Sequence, residues 1–424
     1  MSVLYDELLQ RGFIYQCTDE KGVRALLEQG SAAFYVGFDP TADSLHAGSL
    51  IPILGMMHLQ RAGNRAIAVV GGGTAMVGDP SGKTEMRKML LEDTIRSNGA
   101  HLRDQLAKFL DLTGTAGMWI DNSAWLRDLN YIDFLRDVGR HFSVNKMLST
   151  ESYKIRLETG LSFLEFNYML LQAYDFYVLA RDHGCRLQMG GQDQWGNIVA
   201  GTDLIRRMSS QEAYGLTFPL LTDASGNKLG KTVAGAVWLS ADKTSPFDFY
   251  QYWRNTEDRD VERFLKLFTF LPVDECARLG KLQPPLLNRA KEILGFEITA
   301  IVHGQAAAAK AYLSAVQHYP SADPGGTIET TSAVRTLRPT EDAGLPEVAV
   351  PSDRATAGLR ITDLLQLAGF CSSNSDARRL VQQGGVHLGD SCIVDFTVTV
   401  SAQTLASSPV LRAGKKRMAR IVLK

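Results

Sequence analysis

The chain has 424 residues, a hydrophobic content of 45% and a formal net charge of −1 at pH 7. This length exceeds what a single core usually holds, so we expect two or three globular domains. The near-neutral charge excludes a surface that is basic throughout, so any contact with nucleic acid must come from a local basic patch.

Three further features of the sequence favour a cytoplasmic protein. No run of about 18 apolar residues predicts a transmembrane helix, and the first residues have the acids and helical spacing that secretory and transit peptides lack. No Cys-x-x-Cys spacing occurs, so we interpret the cysteines as reduced thiols that form neither disulfides nor a zinc site. They stand at positions 17, 185, 276, 371 and 392.

The first strong pattern is a strand, a turn and a helix between residues 32 and 63. Ala32–Phe38 is apolar and rich in aromatic and β-branched residues, the turn sequence Asp-Pro-Thr follows, and helical spacing runs from Ser49 to Ala62. The N-terminus of a helix favours an anion such as phosphate, and His46 and Gly48 lie at that entrance. The alternative is an ordinary βα unit with a surface histidine.

A second predicted strand, Ala66–Val70, leads into a glycine-rich segment, residues 71–84, that ends in Gly-Lys-Thr. A P-loop would need glycine at position 77, where the chain has valine, and residues 226–232 miss the motif by one residue as well. Neither segment is therefore a Walker motif. Each still combines lysine with the backbone N–H groups of a flexible loop, so polyphosphate binding by another scheme stays open.

A third strand is predicted at Met118–Asn122, and helical spacing returns over residues 131–150 and 161–180. In the second helical region, Tyr168, Gln172 and Asp175 follow steps of four and three and therefore share one face. A phenol, an amide and a carboxylate are unusual together on a core face, and a binding function for this face is one interpretation. The alternative is the solvated face of an amphipathic helix.

A fourth strand, Cys185–Met189, ends in the sequence Gly-Gly-Gln-Asp-Gln-Trp-Gly. Paired glycines let a ligand approach the backbone, and Asp193 is a suitable partner for ribose hydroxyls at the carboxyl end of a parallel strand. The alternative is a plain turn with a structural tryptophan. A polar loop with two lysines follows at residues 219–232, and its composition predicts mobility.

The C-terminal part begins with helical patterns that continue to about Ala315. Residues 318–357 then show little periodicity and many Ser, Thr and Pro residues, which predicts a linker. Helices Ile361–Ala368 and Ser375–Gln383 and a hairpin from Val386 follow. Residues 358–424 contain nine Lys and Arg against four Asp, a net charge of +5, which favours a module that binds an RNA backbone over a solvated basic tail.

Taken in series, these motifs resemble the class I aminoacyl-tRNA synthetases, and among them the bacterial-type tyrosyl-tRNA synthetases. His46-Ala-Gly-Ser49 is similar to the His-x-Gly-His signature, with serine in place of the second histidine, and residues 228–232 are similar to the Lys-Met-Ser-Lys-Ser loop. Four further segments match in order and spacing. They are Tyr35–Thr41, Gly78–Lys83, Tyr168–Asp175 and Gly190–Trp195, and the resemblance runs over residues 1–320 and resumes at the C-terminus.

The resemblance implies an α/β fold with a Rossmann-like parallel-sheet catalytic domain, a small helical domain and a C-terminal α+β RNA-binding module. The expected limits are 1–246 for the catalytic domain with its lysine loop 223–232, 247–320 for the helical domain, 321–357 for the linker and 358–424 for the basic module. It also implies a cytoplasmic homodimer that associates through the apolar region around Tyr131–Met147 and Phe163. No membrane or DNA partner is expected.

The implied reaction is a tyrosine–tRNA ligation in two steps. Tyrosine and ATP form tyrosyl-adenylate and pyrophosphate, and tyrosine is then transferred to the 3′ end of its tRNA. The attacking carboxylate is already a nucleophile, so no general base is needed, and positioning and positive charge carry the catalysis. Mg²⁺ is expected to enter with ATP, without a dedicated protein metal site. Rejection of phenylalanine is known behaviour of tyrosyl-tRNA synthetases and comes with the resemblance.

The resemblance also assigns roles to individual residues. The phenol of tyrosine is assigned to Tyr35 and Asp175, its ammonium to Asp79, Tyr168 and Gln172, and its other contacts to Asp39, Gln188 and Gln194, with Gln194 near the carboxylate. The departing pyrophosphate is assigned to Thr41, His46, Lys83, Arg87, Lys228 and Lys231, and the rest of ATP to Gly37, Gly48, Ser49, Gly191, Asp193 and Thr232. The tRNA is assigned to Arg378, Arg379, Lys415, Lys416 and Arg417. The chemistry agrees, because a hydroxyl beside a carboxylate suits a phenol and several oxygen acceptors suit a cation.

Two other functions stay open at this point. One is another enzyme, either a tryptophanyl-type relative or a nucleotidyltransferase with the same phosphate-binding signature. Tyr35 with Asp175 argues against tryptophan, since an indole offers only an N–H donor. The other is a non-catalytic RNA-binding protein that keeps the synthetase body as a scaffold. The presence of the residues assigned to chemistry counts against it, namely His46, Asp79, Lys83, Asp193, Lys228 and Lys231.

Overall fold

The structure, a computed structural model, describes residues 3–82, 89–226, 229–232, 235–318, 321–337, 346–389, 391–414 and 417–424. Its contacts divide the chain into two compact units. The first comprises residues 1–244 with 257–281, and the second comprises residues 245–256 with 282–424. Among the described helices, none is long and apolar enough to cross a membrane.

The first unit is built on a six-stranded sheet. Its strands are β1 (Gln16–Cys17), β2 (Ala33–Phe38), β3 (Arg65–Val70), β4 (Gly117–Asp121), β5 (Cys185–Gly191) and β6 (Tyr214–Phe218). The order is β1-β6-β5-β2-β3-β4, and every neighbouring pair is parallel except the edge pair β1 and β6. The prediction of an α/β domain with a parallel sheet is therefore confirmed, with four predicted strands within two residues of their observed limits.

The strand order creates a crevice where β2 and β5 lie side by side. From β2 the chain adds β3 and β4 on one side, whereas β5 and β6 are added on the other side. Helices that leave neighbouring strands in opposite directions open a cleft at the carboxyl ends of those strands, where ligands of α/β proteins bind.

Twenty α-helices lie within the described residues. They are α1 (Val3–Arg11), α2 (Glu20–Glu28), α3 (Leu50–Arg61), α4 (Glu92–Leu106), α5 (Ser123–Leu126), α6 (Tyr131–Asp137), α7 (Val144–Leu148), α8 (Glu151–Thr159), α9 (Phe163–Phe166), α10 (Tyr168–His183), α11 (Trp195–Ser209), α12 (Pro246–Arg254), α13 (Val261–Phe268), α14 (Val273–Gly280), α15 (Leu287–His303), α16 (Gln305–His318), α17 (Ser352–Ala357), α18 (Ile361–Leu367), α19 (Asn374–Gln382) and α20 (Ala402–Ser407).

The helical regions predicted at 131–150 and 161–180 are each broken in the structure. The first divides into α6, a 3₁₀ turn and α7, because Phe142 and Ser143 adopt extended backbone angles. In the second, the chain breaks between α9 and α10, where the Tyr153 hydroxyl donates to the carbonyl of Phe166 and accepts from the N–H of Met169. A contact from another helix thus satisfies the backbone groups that the break exposes.

Residues 257–281, expected within the helical domain, pack with the first unit. Arg11 is buried, and its guanidinium donates to the carbonyl oxygens of Lys266, Thr269 and Leu271 at 2.9 to 3.3 Å. These carbonyls lie at and beyond the C-terminus of α13, where a cation is favourable.

The second unit contains α12, α15 and α16 and ends in a five-stranded sheet. The described residues contain two further strands in the first unit, β7 (Lys231–Thr232) and β8 (Gly235–Ala236). The strands of the second unit are β9 (Glu347–Val350), β10 (Leu359–Arg360), β11 (Val386–Leu388), β12 (Ser391–Ile393), β13 (Thr399–Val400), β14 (Val410–Ala413) and β15 (Arg417–Leu423). The sheet has the order β12-β11-β14-β15-β9. The predicted helices α18 and α19 and the hairpin β11–β12 are confirmed within one residue.

The linker predicted at 321–357 is too long at both ends. Glu292 of α15 accepts from the Ser321 hydroxyl at 2.9 Å and from the N–H of Ala322 at 3.0 Å, so the segment beginning at residue 321 is bound to that helix. Strand β9 pairs in parallel with β15, and Val350 is fully buried in the core of the C-terminal module. The residues of β15 that pair with β9 lie about 70 positions later in the sequence. The periodicity of a local segment cannot reveal a partner that distant.

Candidate active site

A cavity of about 580 Å³ lies at the carboxyl ends of β2, β3, β5 and β6. Fifteen of the residues predicted for the site line it: Tyr35, Gly37, Asp39, Thr41, His46, Gly48, Ser49, Asp79, Tyr168, Gln172, Asp175, Gln188, Gly191, Asp193 and Gln194. The stripe on α10 therefore faces a cavity and not solvent. Of the remaining predictions for this site, Lys83, Arg87 and Lys228 lie outside the described residues, as do the side chains of Lys231 and Thr232.

The deepest part of the cavity holds a phenol beside a carboxylate. Tyr35 is 2% exposed, and its hydroxyl has no hydrogen-bond partner among the described residues. Asp175 accepts from Asn122 Nδ2 at 2.9 Å and from Trp125 Nε1 at 2.8 Å. Burial raises the pKa of Asp175 to about 8, against the opposing effect of those two donors.

Asn122 and Trp125 were not among the predicted site residues. Asn122 directly follows strand β4 and donates to Thr74 Oγ1 as well, at 3.1 Å. Its position at the end of a parallel strand was a usable signal, since such strand ends meet at one edge of the sheet.

The middle of the cavity is rich in carboxylates. Asp39 accepts from the hydroxyl of Tyr168 at 3.1 Å and from that of Thr74 at 2.9 Å, and Asp79 accepts from Gln194 Nε2 at 2.7 Å. Burial, followed by the charge of Asp39, raises the pKa of Asp79 to about 6. The described lining residues include no lysine or arginine, so the negative charge of this region suits a cationic group on a ligand.

The outer part of the cavity begins where the chain enters α3. The residues Ala47–Ser49 form a 3₁₀ turn, and His46 Nδ1 accepts from the N–H of Gly48 at 3.0 Å. In a neutral imidazole the proton therefore lies on Nε2, which leaves that atom as a donor. The Ser49 side chain makes no capping hydrogen bond to α3. Helical spacing was predicted from Ser49 and α3 begins at Leu50, so the predicted start of this helix is confirmed.

The turn that follows β5 also lines the cavity. A Cβ atom on Gly191 would lie 2.5 Å from Asp193 Oδ1, so only glycine allows the carboxylate to stay where it is. Asp193 thus lies at the carboxyl end of a parallel strand, the position in which α/β proteins place an acid against ribose hydroxyls.

The predicted tRNA residues belong to the second unit. In α19, Arg379 forms an ion pair with Asp376 at 2.6 Å, and Arg378 stacks over the ring of Phe396 at 5.4 Å. Arg417 donates to the carbonyl oxygen of Phe370, so this side chain also has a role within the module. Lys415 and Lys416 lie outside the described residues.

Residues 27–319 match the family described as tRNA synthetases class I (W and Y). The tyrosine–tRNA ligase of Desulfosudis oleivorans is 49% identical, with all of this chain and 99% of the relative covered. That of Clostridium botulinum strain Alaska E43 is 48% identical, with 99% of each covered. The chain belongs to the class I tRNA synthetases, in the tyrosine–tRNA ligase family.

Solved structures agree with the fold of this synthetase. A C-terminally truncated mitochondrial tyrosyl-tRNA synthetase from Aspergillus nidulans matches with a TM-score of 0.66 and 29% identity, over 74% of this chain and 94% of that structure. A tryptophanyl-tRNA synthetase from Giardia lamblia matches with a TM-score of 0.54 and 16% identity, over 71% of this chain and 85% of that structure, which supports the shared fold alone.

Proposed function

We propose that this synthetase activates L-tyrosine with ATP and transfers it to the 3′ end of a tyrosine tRNA. The observation that carries the choice of amino acid is the deep end of the cavity. There the Tyr35 hydroxyl, which none of the described residues hydrogen-bonds, lies in the same buried region as the Asp175 carboxylate. A phenol hydroxyl can donate to Asp175 while it accepts from Tyr35. An indole N–H can only donate, so tryptophan would leave Tyr35 unpaired.

The polar end of the amino acid fits the middle of the cavity. Asp79, Tyr168 and Gln172 are proposed to accept from the ammonium, with Asp39 holding the Tyr168 hydroxyl in place. Gln194 is proposed to reach the carboxylate, and Gln188 to support the deep end. Burial raises the pKa of Asp79, and an ammonium bound beside this carboxyl would favour its ionised form.

ATP is proposed to bind across the outer part of the cavity. The nucleoside would contact Asp193 and the protein backbone at Gly37, Gly48 and Gly191, with Ser49 close to the ribose. The departing pyrophosphate is proposed to be held by Thr41, His46, Lys83, Arg87, Lys228 and Lys231. Thr232 is proposed to contact another part of ATP. Mg²⁺ would arrive as part of the nucleotide substrate, where it neutralises phosphate charge.

The chain's own groups then act by position. The carboxylate of tyrosine needs no base to attack the α-phosphorus, so the residues must align the two substrates and stabilise charge on the leaving group. The hydrogen bond from the N–H of Gly48 to His46 Nδ1 places the proton of a neutral imidazole on Nε2, and Nε2 is the donor proposed for that charge.

We expect His46→Ala to reduce the rate of tyrosine-dependent ATP–pyrophosphate exchange by about 100-fold, because a donor to transition-state charge is removed. Ser49→Ala should cost less than about fivefold, since its side chain makes no capping bond and is too short to replace the second histidine of the family signature. Exchange rates of both variants at saturating tyrosine measure the difference, and equal losses would contradict it.

For tRNA, the basic module of residues 358–424 is proposed to contact the phosphate backbone through Arg378, Arg379, Arg417, Lys415 and Lys416. A homodimer is proposed as well. It is supported by the exposed apolar side chains that the first unit carries in and near the region predicted for association, namely Tyr131, Ile132, Val144, Phe163 and Leu164.

The double variant Lys415→Ala, Lys416→Ala should weaken tRNA binding. The slope of the logarithm of the binding constant against the logarithm of the salt concentration should also become less steep, by roughly one unit for each phosphate that is no longer neutralised. Tyrosine activation should stay unchanged. The exposed lysines Lys21 and Lys108 of the first unit provide a control with the same reduction in charge. Filter binding over a range of salt concentrations measures both double variants, and an identical slope for the two would contradict the proposed role of Lys415 and Lys416.

The function is tested by ATP–pyrophosphate exchange with tyrosine, tryptophan, phenylalanine and no amino acid. Exchange with tyrosine alone supports the proposal. Exchange with another substrate indicates a different ligase or nucleotidyltransferase. If a folded protein catalyses no exchange with any of these substrates, a non-catalytic RNA-binding role is indicated.

A further inference from the structure

One buried amide connects three segments of the cavity wall. Asn197, in the first turn of α11, is 2% exposed. Its Nδ2 atom lies 3.1 Å from Gln172 Oε1, 3.1 Å from Gln194 Oε1 and 3.3 Å from Ser81 Oγ. Gln172 belongs to α10, Gln194 to the turn after β5, and Ser81 to the loop after β3.

The geometry sets the direction of two glutamine side chains. An amide NH₂ group has two protons, so Asn197 Nδ2 can fully satisfy two of its three acceptors at a time. If Gln172 or Gln194 turned its NH₂ group toward Asn197, two donors would face each other in a buried site. Both amides therefore keep their oxygen toward Asn197, and Gln194 Nε2 is directed to Asp79 Oδ2 at 2.7 Å.

We propose that Asn197 is a positioning residue for the amino-acid substrate. It orients Gln172, which keeps the second lone pair of Oε1 for the substrate ammonium, and Gln194, whose NH₂ group is held toward the polar end of the substrate. Asn197 itself touches neither substrate. This inference rests on the proposed function, because it assigns to Asn197 the orientation of the groups proposed to bind the ammonium and carboxylate of tyrosine.

The variant Asn197→Leu keeps a similar shape and removes the donor. Its affinity is measured for three ligands that share the phenol: tyrosine by equilibrium dialysis, and tyramine and 4-ethylphenol by competition with tyrosine. We expect about tenfold weaker binding of tyrosine, which uses both glutamines, and about threefold weaker binding of tyramine, which lacks the carboxylate. Binding of 4-ethylphenol, which lacks both polar groups, should stay within twofold of the wild type.

A general distortion of the cavity would weaken all three ligands by the same factor, and this result would overturn the proposal. Tyrosine affinity within twofold of the wild type would also overturn it. If thermal unfolding shows that Asn197→Leu does not fold, Asn197→Ala removes the same donor without added apolar volume. A wild-type protein that neither binds tyrosine nor catalyses exchange would instead refute the proposed function.

Asn64 offers a matched control for the replacement of a buried asparagine. It is 1% exposed and joins the N–H of Ala32 to the carbonyl of Leu59 at 3.1 Å each, at the edge of the sheet remote from the carboxyl ends of the strands. Asn64→Leu is expected to lower the melting temperature while the relative affinities for tyrosine, tyramine and 4-ethylphenol stay as in the wild type.

Discussion

Replacement of Asp175 by asparagine is expected to lower kcat/KM for tyrosine in ATP–pyrophosphate exchange by at least about 100-fold. In its ionised form the Asp175 side chain accepts from Asn122 Nδ2 and Trp125 Nε1, and the phenol hydroxyl of tyrosine is its proposed third donor. Asparagine has one oxygen in place of two, so its NH₂ group must face at least one of these donors. A buried donor without an acceptor costs the full desolvation of that group, which explains the size of the effect.

The same variant should respond differently to pH. Burial raises the pKa of Asp175 to about 8, so the folded protein holds this proton more tightly than the unfolded chain, whose carboxyl titrates near pH 4. The stability that this proton contributes is complete below about pH 4 and is lost as the pH rises toward 8. Asparagine has no such proton. The free energy of unfolding of Asp175→Asn, relative to the wild type, should therefore rise by about 4 kcal/mol between pH 5 and pH 8.

Urea unfolding at pH 5 and pH 8 measures this change, and Asp182→Asn is its control. Asp182 lies on the same helix α10, is exposed, and pairs with Arg181 at 2.6 Å, which lowers the pKa of its carboxyl. Its replacement should leave kcat/KM for tyrosine unchanged and produce no rise in relative stability at high pH. Retained activity of Asp175→Asn would contradict its role at the phenol, and a pH-independent stability difference would contradict a buried, protonated carboxyl.

Truncation after Leu337 is the second change with a large expected effect. The shortened chain keeps the contacts of residues 321–332 with α15, through Glu292 and Glu297, and every residue proposed to bind tyrosine or ATP. We expect tyrosyl-adenylate formation within about twofold of the full-length protein, because the first unit has its own core. Charging of tRNA should fall by at least about 100-fold, since the phosphate contacts of the basic module supply binding energy and orient the tRNA.

A second truncation after Ala357 tests where the module begins. That chain retains β9 but loses its pairing partner β15, and it exposes Val350, which is fully buried in the module core. It should therefore be less soluble than the chain ending at Leu337 while being equally inactive in tRNA charging. Loss of pyrophosphate exchange in a folded chain ending at Leu337, or full tRNA charging by it, would contradict the separation of the two activities.

Many strands, helices and cavity residues of this protein could be predicted from local sequence patterns. The strands of the parallel sheet are apolar runs that end in turn residues, and those strand ends are where the residues of the cavity lie. The step of four and three residues from Tyr168 to Asp175 placed three polar side chains on one helical face, and that face lines the cavity. The helices α18 and α19 and the following hairpin were also evident, because each buries one face and its periodicity is local.

Tertiary structure alone decided the contacts that complete the site. Asn122 and Trp125 meet Asp175 across about 50 positions of sequence, and Asn197 meets Ser81 across 116. Distant contacts also decide the parallel pairing of β9 with β15 and the break between α9 and α10, where the Tyr153 hydroxyl bonds to the backbone. A buried polar group must find a partner wherever the chain brings one within about 3 Å, and that partner depends on which strand ends and helices meet in the fold, not on the periodicity of either segment.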